Sequence, residues 1–259
     1  MKHPLVSIII PAYNSGKYIK ECLDSVLAQT YQNWEAIVVY SPSKDDTIIV
    51  LEDYLFEKRI HLIIESKKSN CAIARNTGIA ASNGDYIAML DSDDWWMPTK
   101  LQEMVDHMES HKELLWCVHC VVAHYPKGLT YETVWPGKTY GIGGVAAILF
   151  RRNCLSDIKE RWGYIFNPNM DRADDADLVL RVRNDPSDLI PQFLSHYRWN
   201  LEGLSANTDG VKQSWILVDM CIRNKAYDFL PYHMKELAIN WVNQITGIDW
   251  VAEKKRLLG

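Results

Sequence analysis

The chain has 259 residues, of which 47% are apolar, so it is long enough for one large domain or two small ones with a substantial core. Its formal net charge is −5 and its lysines and arginines are scattered, which excludes the basic stripe of a nucleic-acid-binding protein. No apolar run approaches the roughly 20 residues that span a bilayer, and the N-terminus lacks a signal-peptide pattern, so we expect a cytoplasmic protein.

The first hundred residues alternate between strand and helix patterns. Apolar runs that end near turn signals predict strands at residues 5–11, 34–40, 61–65 and 85–90. Segments with apolar residues at helical spacing separate these runs. The alternation predicts parallel βαβ units in an α/β fold, with a mostly parallel, doubly wound sheet flanked by helices. Because ligands of such sheets bind beyond the carboxyl ends of the strands, the segments PAYN, YSPS and LDSDD are expected to line a site.

The rest of the chain is less regular. Strand-like runs at 115–123 and 145–150 enclose a loop-rich stretch, and helical periodicity returns over 211–259. We therefore expect a main domain over 1–210 and a helical C-terminal extension. Residues 254–256 are basic, which leaves a contact with the inner membrane surface open, although packing of the extension on the main domain is favoured.

The six cysteines are dispersed, which favours buried free thiols over a disulfide framework. Cys117 and Cys120 form a CxxC motif around His119, but no second ligand pair completes a zinc site. A redox CxxC motif would open a helix, whereas LLWCVHCVVAHY has the pattern of a buried strand. We expect the pair to pack in the core.

Three carboxylates, Asp91, Asp93 and Asp94, follow the last predicted strand of the first half. Mg²⁺ and Mn²⁺ take carboxylate oxygens and commonly bridge one or two of them to substrate phosphates. The cluster therefore indicates a metal and diphosphate site. By itself the triplet favours a solvated acidic turn, since aspartates are common hydrogen-bond acceptors at strand ends.

The motifs VSIIIPAYN, ARNTGIAASNGDYIAMLDSDDWW and DDADLVLR occur in this order, and with them the chain resembles the family-2 glycosyltransferases. The resemblance is good over residues 5–101 and can be followed to about residue 205. It implies the GT-A fold, with a nucleotide-sugar-binding half at 1–100 and an acceptor-binding half at 101–210. It also implies a nucleoside diphosphate sugar as donor, Mn²⁺ or Mg²⁺ on its diphosphate, and transfer to a hydroxyl with inversion, in polysaccharide or glycoconjugate synthesis.

The resemblance assigns donor contacts residue by residue. Tyr13 is expected against the base or ribose, Asp91 and Ser92 near the ribose and diphosphate, and Asp93 on the metal together with Asp91. The full set expected at the nucleotide sugar is Pro11, Ala12, Tyr13, Asn14, Ser41, Arg75, Asn76, Asp91, Ser92 and Arg198. Arg75 would offset phosphate charge, with a surface helix arginine as the alternative.

A base must deprotonate the attacking hydroxyl, and a carboxylate is the usual choice. The resemblance places Asp174 and Asp175 in this role, at the start of a predicted helix, with Asp175 at the catalytic position. A capping aspartate is the alternative for Asp174, because negative charge is favoured at a helix N-terminus.

Trp95 and Trp96 directly follow the acidic cluster. Sugar C–H faces stack on aromatic rings, so we expect one of these side chains at the acceptor and the other in the core. Asp94 is expected to cap the segment that starts at residues 95–98, as an N-cap acceptor before Pro98 and Thr99.

The chain departs from the family after its second strand. An acidic pair followed by Gly-Ser is usual there, and one aspartate recognises the base, but this chain has Tyr40, Ser41 and Pro42. A carboxylate accepts a hydrogen bond from the ring N–H of uracil, whereas a serine hydroxyl either accepts or donates. We expect a UDP-sugar, with GDP- and dTDP-sugars left open.

Two other functions stay open. A catalytically silent relative would bind a nucleotide sugar or glycan in the same pocket, which the altered base loop allows. A sugar-phosphate nucleotidyltransferase would carry a glycine-rich, basic loop after the first strand, whereas PAYNSGKYIK has a single glycine. The acceptor, whether glycan, lipid-linked or protein, depends on loops for which no motif transfers.

Overall fold

The computed structural model describes residues 3–124, 130–133, 144–170 and 174–198, which all lie in one compact unit. The predicted extension at 211–259 and its basic end lie outside the described residues, so the division at residue 210 stays a prediction. The strands are β1 (Val6–Ala12), β2 (Trp34–Tyr40), β3 (Ile60–Ile64), β4 (Tyr86–Met89), β5 (Trp95–Trp96), β6 (Trp116–His124), β7 (Thr130–Thr133), β8 (Ile148–Arg151) and β9 (Ser187–Arg198). The α-helices are α1 (Ile19–Leu27), α2 (Thr47–Glu52), α3 (Cys71–Ala81), α4 (Lys100–Ser110), α5 (Arg152–Trp162) and α6 (Asp174–Val182).

The first half of the sheet is parallel, in the order β3-β2-β1-β4. Every residue of β2 is buried, and β1 is buried except for the partly exposed Pro11. Strands of this kind are covered on both faces, which explains why their sequences are continuous apolar runs with no alternation. The α/β fold class predicted from the sequence is confirmed.

The second half of the sheet is mixed. Strand β8 pairs antiparallel with both β4 and β6, β9 lies parallel to β6, and β5 closes the row antiparallel to β9. Strand β7 pairs with β6 outside this row. The strand predicted over 145–150 is correct only from Ile148 onwards, because residues 144–147 form a turn of 3₁₀ helix. Parallel pairing therefore dominates only the first half.

Helix α3 lies against β1 and β2. Its close approach depends on Gly78, since a Cβ atom there would lie 2.5 Å from Cγ2 of Ile9. The helix begins with a cap, in which Oδ1 of Asn70 accepts a hydrogen bond from the backbone N–H of Ile73 at 2.9 Å. The cap and the glycine hold α3 against the sheet with Arg75 buried.

Helix α4 begins after Thr99, and the capping role expected for Asp94 is wrong. The side chain of Asp94 is buried, and its Oδ1 accepts a hydrogen bond from the backbone N–H of Arg198 at 2.8 Å. Asp94 therefore ties the end of β9 to the acidic cluster, 104 positions away in the chain.

The CxxC segment forms β6, as predicted, with Cys117 and Cys120 buried and unbonded to other cysteines. His119 is fully buried between them, and its Nδ1 lies 2.8 Å from the carbonyl oxygen of Cys120. Among the described residues, no helix has the length and apolar character needed to cross a membrane.

Candidate functional site

The carboxyl ends of β1, β2 and β4 meet at one edge of the sheet. The N–H of Ser41 donates to the carbonyl of Ala12 at 2.9 Å, which joins the ends of β1 and β2. The hydroxyls of Ser15 and Ser92 lie 2.6 Å apart, which joins the segment after β1 to the acidic cluster after β4. The three segments expected to line a site are thus brought together, as the strand-end rule predicts.

The turn after β1 is hydrogen-bonded to residues that follow β2. Asn14 adopts a positive φ of 52°, a conformation that asparagine tolerates better than most residues. The N–H of Ser15 donates to Oγ1 of Thr47 at 2.7 Å, and the N–H of Gly16 donates to Oδ2 of Asp45 at 2.8 Å. Asp45 also accepts from the Thr47 hydroxyl at 2.7 Å. These contacts fix the backbone at the carboxyl end of β1.

Burial would raise the pKa of Asp45, but hydrogen bonds from Ser43, Thr47 and Gly16 outweigh it and lower the pKa below its usual range. The carboxylate form is therefore the one that holds the turn. Asp45 therefore acts as a turn residue that precedes α2.

Arg75 of α3 is buried and joins two acidic segments. Its Nη1 donates to Oδ2 of Asp174 at 2.7 Å, and its Nη2 donates to Oδ1 of Asp91 at 2.6 Å. Burial would lower the pKa of the guanidinium, but the carboxylates of Asp174 and Asp91 hold it well above its ordinary value. Arg75 is a buried ion-pair centre, so the alternative of a surface helix arginine is wrong.

The acidic cluster after β4 concentrates negative charge. Burial, followed by the charges of Asp93 and Asp91, raises the pKa of Asp94 well above its ordinary value. The side chain of Asp91 keeps 35% of its surface exposed while it contacts Arg75. Such crowding of carboxylates favours a cation at this edge of the sheet.

The described residues contain no group of three or more His, Cys, Asp or Glu side chains arranged around one metal position. This donor set is unlike an all-protein zinc or calcium cage. Mn²⁺ and Mg²⁺ are commonly held through one or two carboxylates and complete their coordination with phosphate oxygens and water, so the expectation of such an ion stays a prediction. Asp93 and Asp91 are the residues that would hold such an ion.

Arg198, at the end of β9, covers the acidic cluster. Its Nε donates to the backbone carbonyl of Asp93 at 3.0 Å, and its Nη2 pairs with the carboxylate of Glu21 in α1. Arg198 therefore pairs with an exposed carboxylate in this structure. The contact with a diphosphate stays a prediction.

Asp174 and Asp175 open helix α6 but lie in different surroundings. Asp174 is buried and bound to Arg75, whereas Asp175 is partly exposed, with its Oδ1 2.8 Å from the backbone nitrogen of Ala176. The helix start predicted here is confirmed. Because Arg75 contacts both Asp174 and Asp91, the acidic cluster and the start of α6 belong to one site.

The two tryptophans divide as expected between the core and the surface. Trp96 is 2% exposed, and the Nζ of Lys100 lies 3.7 Å from the centre of its ring. Trp95 is partly exposed and stacks on His196, with ring centres 4.8 Å apart and planes 5° from parallel. Trp95 is thus the one whose side chain an acceptor can reach, and its contact with an acceptor stays a prediction.

Asn76 is committed to the protein backbone. Its side-chain amide donates to the carbonyl of Phe166 at 2.7 Å and accepts from the N–H of the same residue at 3.0 Å. The Phe166 ring lies 5.3 Å from the guanidinium carbon of Arg75. Asn76 therefore positions the segment before α6, and its contact with a donor stays a prediction.

Sequence reasoning missed Glu65, which follows β3. Its Oε2 accepts hydrogen bonds from the hydroxyl of Ser41 and, at 2.6 Å, from that of Ser69. Nearby, the Nζ of Lys68 lies 4.0 Å from the centre of the half-exposed Tyr13 ring. The signal was present, because Glu65 ends the predicted strand HLIIE and parallel strand ends meet at one edge.

The model of the family "Glycosyl transferase family 2" matches residues 7–157 of the chain. The putative teichuronic acid biosynthesis glycosyltransferase TuaG of Bacillus subtilis is 30% identical over 231 residues, which cover 83% of this chain and 87% of TuaG. The glucosyltransferase WfgD of Escherichia coli, described as acting with UDP-Glc on alpha-D-GlcNAc-diphosphoundecaprenol, is 40% identical over 104 residues. That match spans 40% of this chain and 41% of WfgD.

Solved structures share the fold at low sequence identity. TarS of S. aureus, residues 1–349 in complex with UDP-GlcNAc, has a TM-score of 0.69 at 17% identity and covers 92% of this chain and 71% of its own. The mannosyltransferase PcManGT of Pyrobaculum calidifontis, in complex with GDP-Man and Mn²⁺, has a TM-score of 0.66 at 18% identity. The match covers 99% of this chain and 80% of PcManGT. Because the family model matches more than half of this chain, the chain belongs to glycosyltransferase family 2 and is a glycosyltransferase with the GT-A fold.

Proposed function

We propose that this protein is a metal-dependent, inverting glycosyltransferase that moves a sugar from a nucleoside diphosphate sugar to a hydroxyl acceptor in polysaccharide or glycoconjugate synthesis. The observation that carries the proposal is the Arg75 bridge between Asp91 and Asp174. The bridge brings the carboxylates suited to a diphosphate-bound metal into one site with the carboxylates suited to a general base.

The donor would lie along the carboxyl ends of β1, β2 and β4. Tyr13 and Ser41 flank the position of the base, while Asp91, Ser92 and Asp93 flank that of the ribose and diphosphate. When bound, Mn²⁺ or Mg²⁺ neutralises charge on the departing diphosphate. Complexes of the structural relatives with UDP-GlcNAc and with GDP-Man and Mn²⁺ support a donor of this class.

Asp175 is the proposed base. Its carboxylate takes the proton of the acceptor hydroxyl as that oxygen bonds to the anomeric carbon. The bond between the anomeric carbon and the diphosphate oxygen breaks, and its electron pair leaves with the diphosphate. One displacement from the face opposite the leaving group inverts the anomeric carbon. Asp174 neutralises Arg75 and keeps the start of α6 in place.

The acceptor is proposed to be a glycan or a lipid-linked glycan, and a lipid-linked acceptor would place the reaction at the cytoplasmic membrane surface. The descriptions of TuaG and WfgD support this class. Trp95 is the proposed acceptor contact, because a partly exposed aromatic ring offers a stacking face to a sugar.

A thermal-shift panel of UDP-, GDP- and dTDP-sugars, each with and without Mn²⁺, tests the donor part of the proposal. A ligand present at 100 times its Kd should add about 2.7 kcal/mol of stability. We expect a shift that requires Mn²⁺ and is lost in Asp93→Ala but kept in the control Asp106→Asn, which changes an exposed carboxylate on α4. No shift with any donor would contradict the proposal and favour a catalytically silent relative.

A further inference from the structure

The Glu65 carboxylate is held at the ends of β2 and β3, and an aromatic residue, Tyr13, follows the neighbouring strand β1. Glu65 lies directly after β3, and its N–H donates to the carbonyl of Tyr40 at 3.0 Å, so its backbone continues the pairing with β2. Ser41 is buried and bound to Ala12, the residue before Tyr13. The Tyr13 ring, 39% exposed, and the Glu65 carboxylate thus follow β1 and β3, the two strands that flank β2 in the parallel half.

The two oxygens of the Glu65 carboxylate are used unequally. Oε2 accepts from the Ser41 hydroxyl and from the Ser69 hydroxyl, and these two bonds use both of its lone pairs. Within the described part of the chain, neither hydroxyl donates to Oε1. The serines orient the carboxylate, and one oxygen is left to accept hydrogen bonds from a ligand.

A carboxylate and an aromatic ring at the same edge of a sheet suit a nucleobase, which stacks through its ring and is read through its edge. Guanine offers two adjacent donors, and a bidentate contact with them requires both carboxylate oxygens. Uracil and thymine offer a single ring N–H, which one oxygen satisfies. Cytosine offers a ring-nitrogen lone pair at that position, which a carboxylate repels.

We propose that Glu65 reads the donor base, and that its single available oxygen selects a base with one ring N–H donor, a uridine or thymidine diphosphate sugar, over guanosine. This inference rests on the proposed function, since it assumes that the base lies at the ends of β1 and β2. It gives Ser41 and Ser69 a positioning role, because they hold the carboxylate by its other oxygen.

Titration calorimetry in Mn²⁺ with UDP, N3-methyl-UDP and GDP tests the inference. A hydrogen bond to a charged group contributes about 1.5–3 kcal/mol, so UDP should bind about 10- to 150-fold more tightly than N3-methyl-UDP, which lacks the ring N–H. In Glu65→Gln this ratio should fall several-fold, with the affinity for N3-methyl-UDP nearly unchanged. Glu113→Gln, at an exposed glutamate, should keep the wild-type ratio.

The outcomes separate this inference from the proposed function. Equal binding of UDP and N3-methyl-UDP, an unchanged ratio in Glu65→Gln, or tighter binding of GDP than of UDP would overturn the role of Glu65 and leave a metal-dependent nucleotide site in place. Absence of binding by every nucleoside diphosphate would overturn the proposed function itself. The melting temperature of Glu65→Gln shows whether the variant folds, and the ratio within that variant does not depend on the amount folded.

Discussion

The parallel and the mixed halves of the sheet contribute differently to the site. Strands β1, β2, β3 and β4 end at one edge, and local contacts between those ends build the proposed donor pocket. The mixed half reaches the same edge through long-range polar contacts, which include Asp174 with Arg75 and Arg198 with Asp94. The donor side thus follows from topology, whereas the catalytic side depends on a few long-range polar pairs.

Breaking the buried ion pair should show this dependence most strongly. Arg75→Ala leaves the buried Asp174 carboxylate without its cation, and we expect it to destabilise the fold by about 3–5 kcal/mol in urea unfolding. The matched control Arg161→Ala removes an ion pair whose arginine is about half exposed, and it should cost less than about 1 kcal/mol. Equal losses in the two variants would contradict the role of Arg75.

Truncation of the two tryptophans compares a core position with a surface position. Trp96→Ala empties a buried position and should destabilise the fold by about 3–5 kcal/mol. Trp95→Ala should cost less than about 2 kcal/mol, because it loses stacking on His196 but little burial, and should raise the KM for the acceptor. Urea unfolding of both variants checks the first statement. An unchanged KM for the acceptor in Trp95→Ala would show that Trp95 does not contact the acceptor.

The two aspartates of α6 should separate catalysis from stability. Asp175→Asn is expected to lower kcat about 100-fold or more, as for loss of a general base, with little change in melting temperature. Asp174→Asn should mainly lower the melting temperature, since it removes one partner of the buried Arg75. Turnover and thermal melting of both variants check the assignment, and a reversed pattern would make Asp174 the base.

The smallest effect concerns the buried histidine of β6. Burial, reinforced by the charge of Lys100, holds the pKa of His119 well below its ordinary value. Below about pH 6.5 the unfolded chain binds a proton there and the folded chain does not, so stability falls as pH falls, by up to about 1.4 kcal/mol per pH unit. His119→Gln should flatten the decline measured in urea between pH 7.5 and 5.5. An unchanged slope would show that other groups cause the decline.

Local sequence patterns were sufficient for the parallel half. Strands β1 and β2 are continuous apolar runs because helices cover both faces, and the alternation with helices gave their parallel order. The gathering of PAYN, YSPS and LDSDD at one edge followed from that order. The division of Trp95 and Trp96 was also expected, although their periodicity alone did not indicate which one is buried.

Long-range pairs account for what the sequence did not predict. The capping role of Asp94 was wrong because a backbone N–H of Arg198, 104 positions away, takes its carboxylate. The contact of Arg75 with Asp174 joins residues 99 positions apart. The strand end at Glu65 was predicted, but the bond of its carboxylate to the Ser41 hydroxyl, 24 positions away, is a tertiary contact. Such pairings depend on tertiary packing, which local propensity and spacing do not encode.

The most direct measurement of sugar transfer by this site uses the nucleotide sugar that gives the largest thermal shift, with water as the acceptor. Proton NMR at early times, before mutarotation, identifies the anomer released from an α-linked donor in Mn²⁺. Single displacement with Asp175 as base predicts the β anomer first, and little product from Asp175→Asn. Release of the α anomer first, or full turnover in Asp175→Asn, would contradict the account.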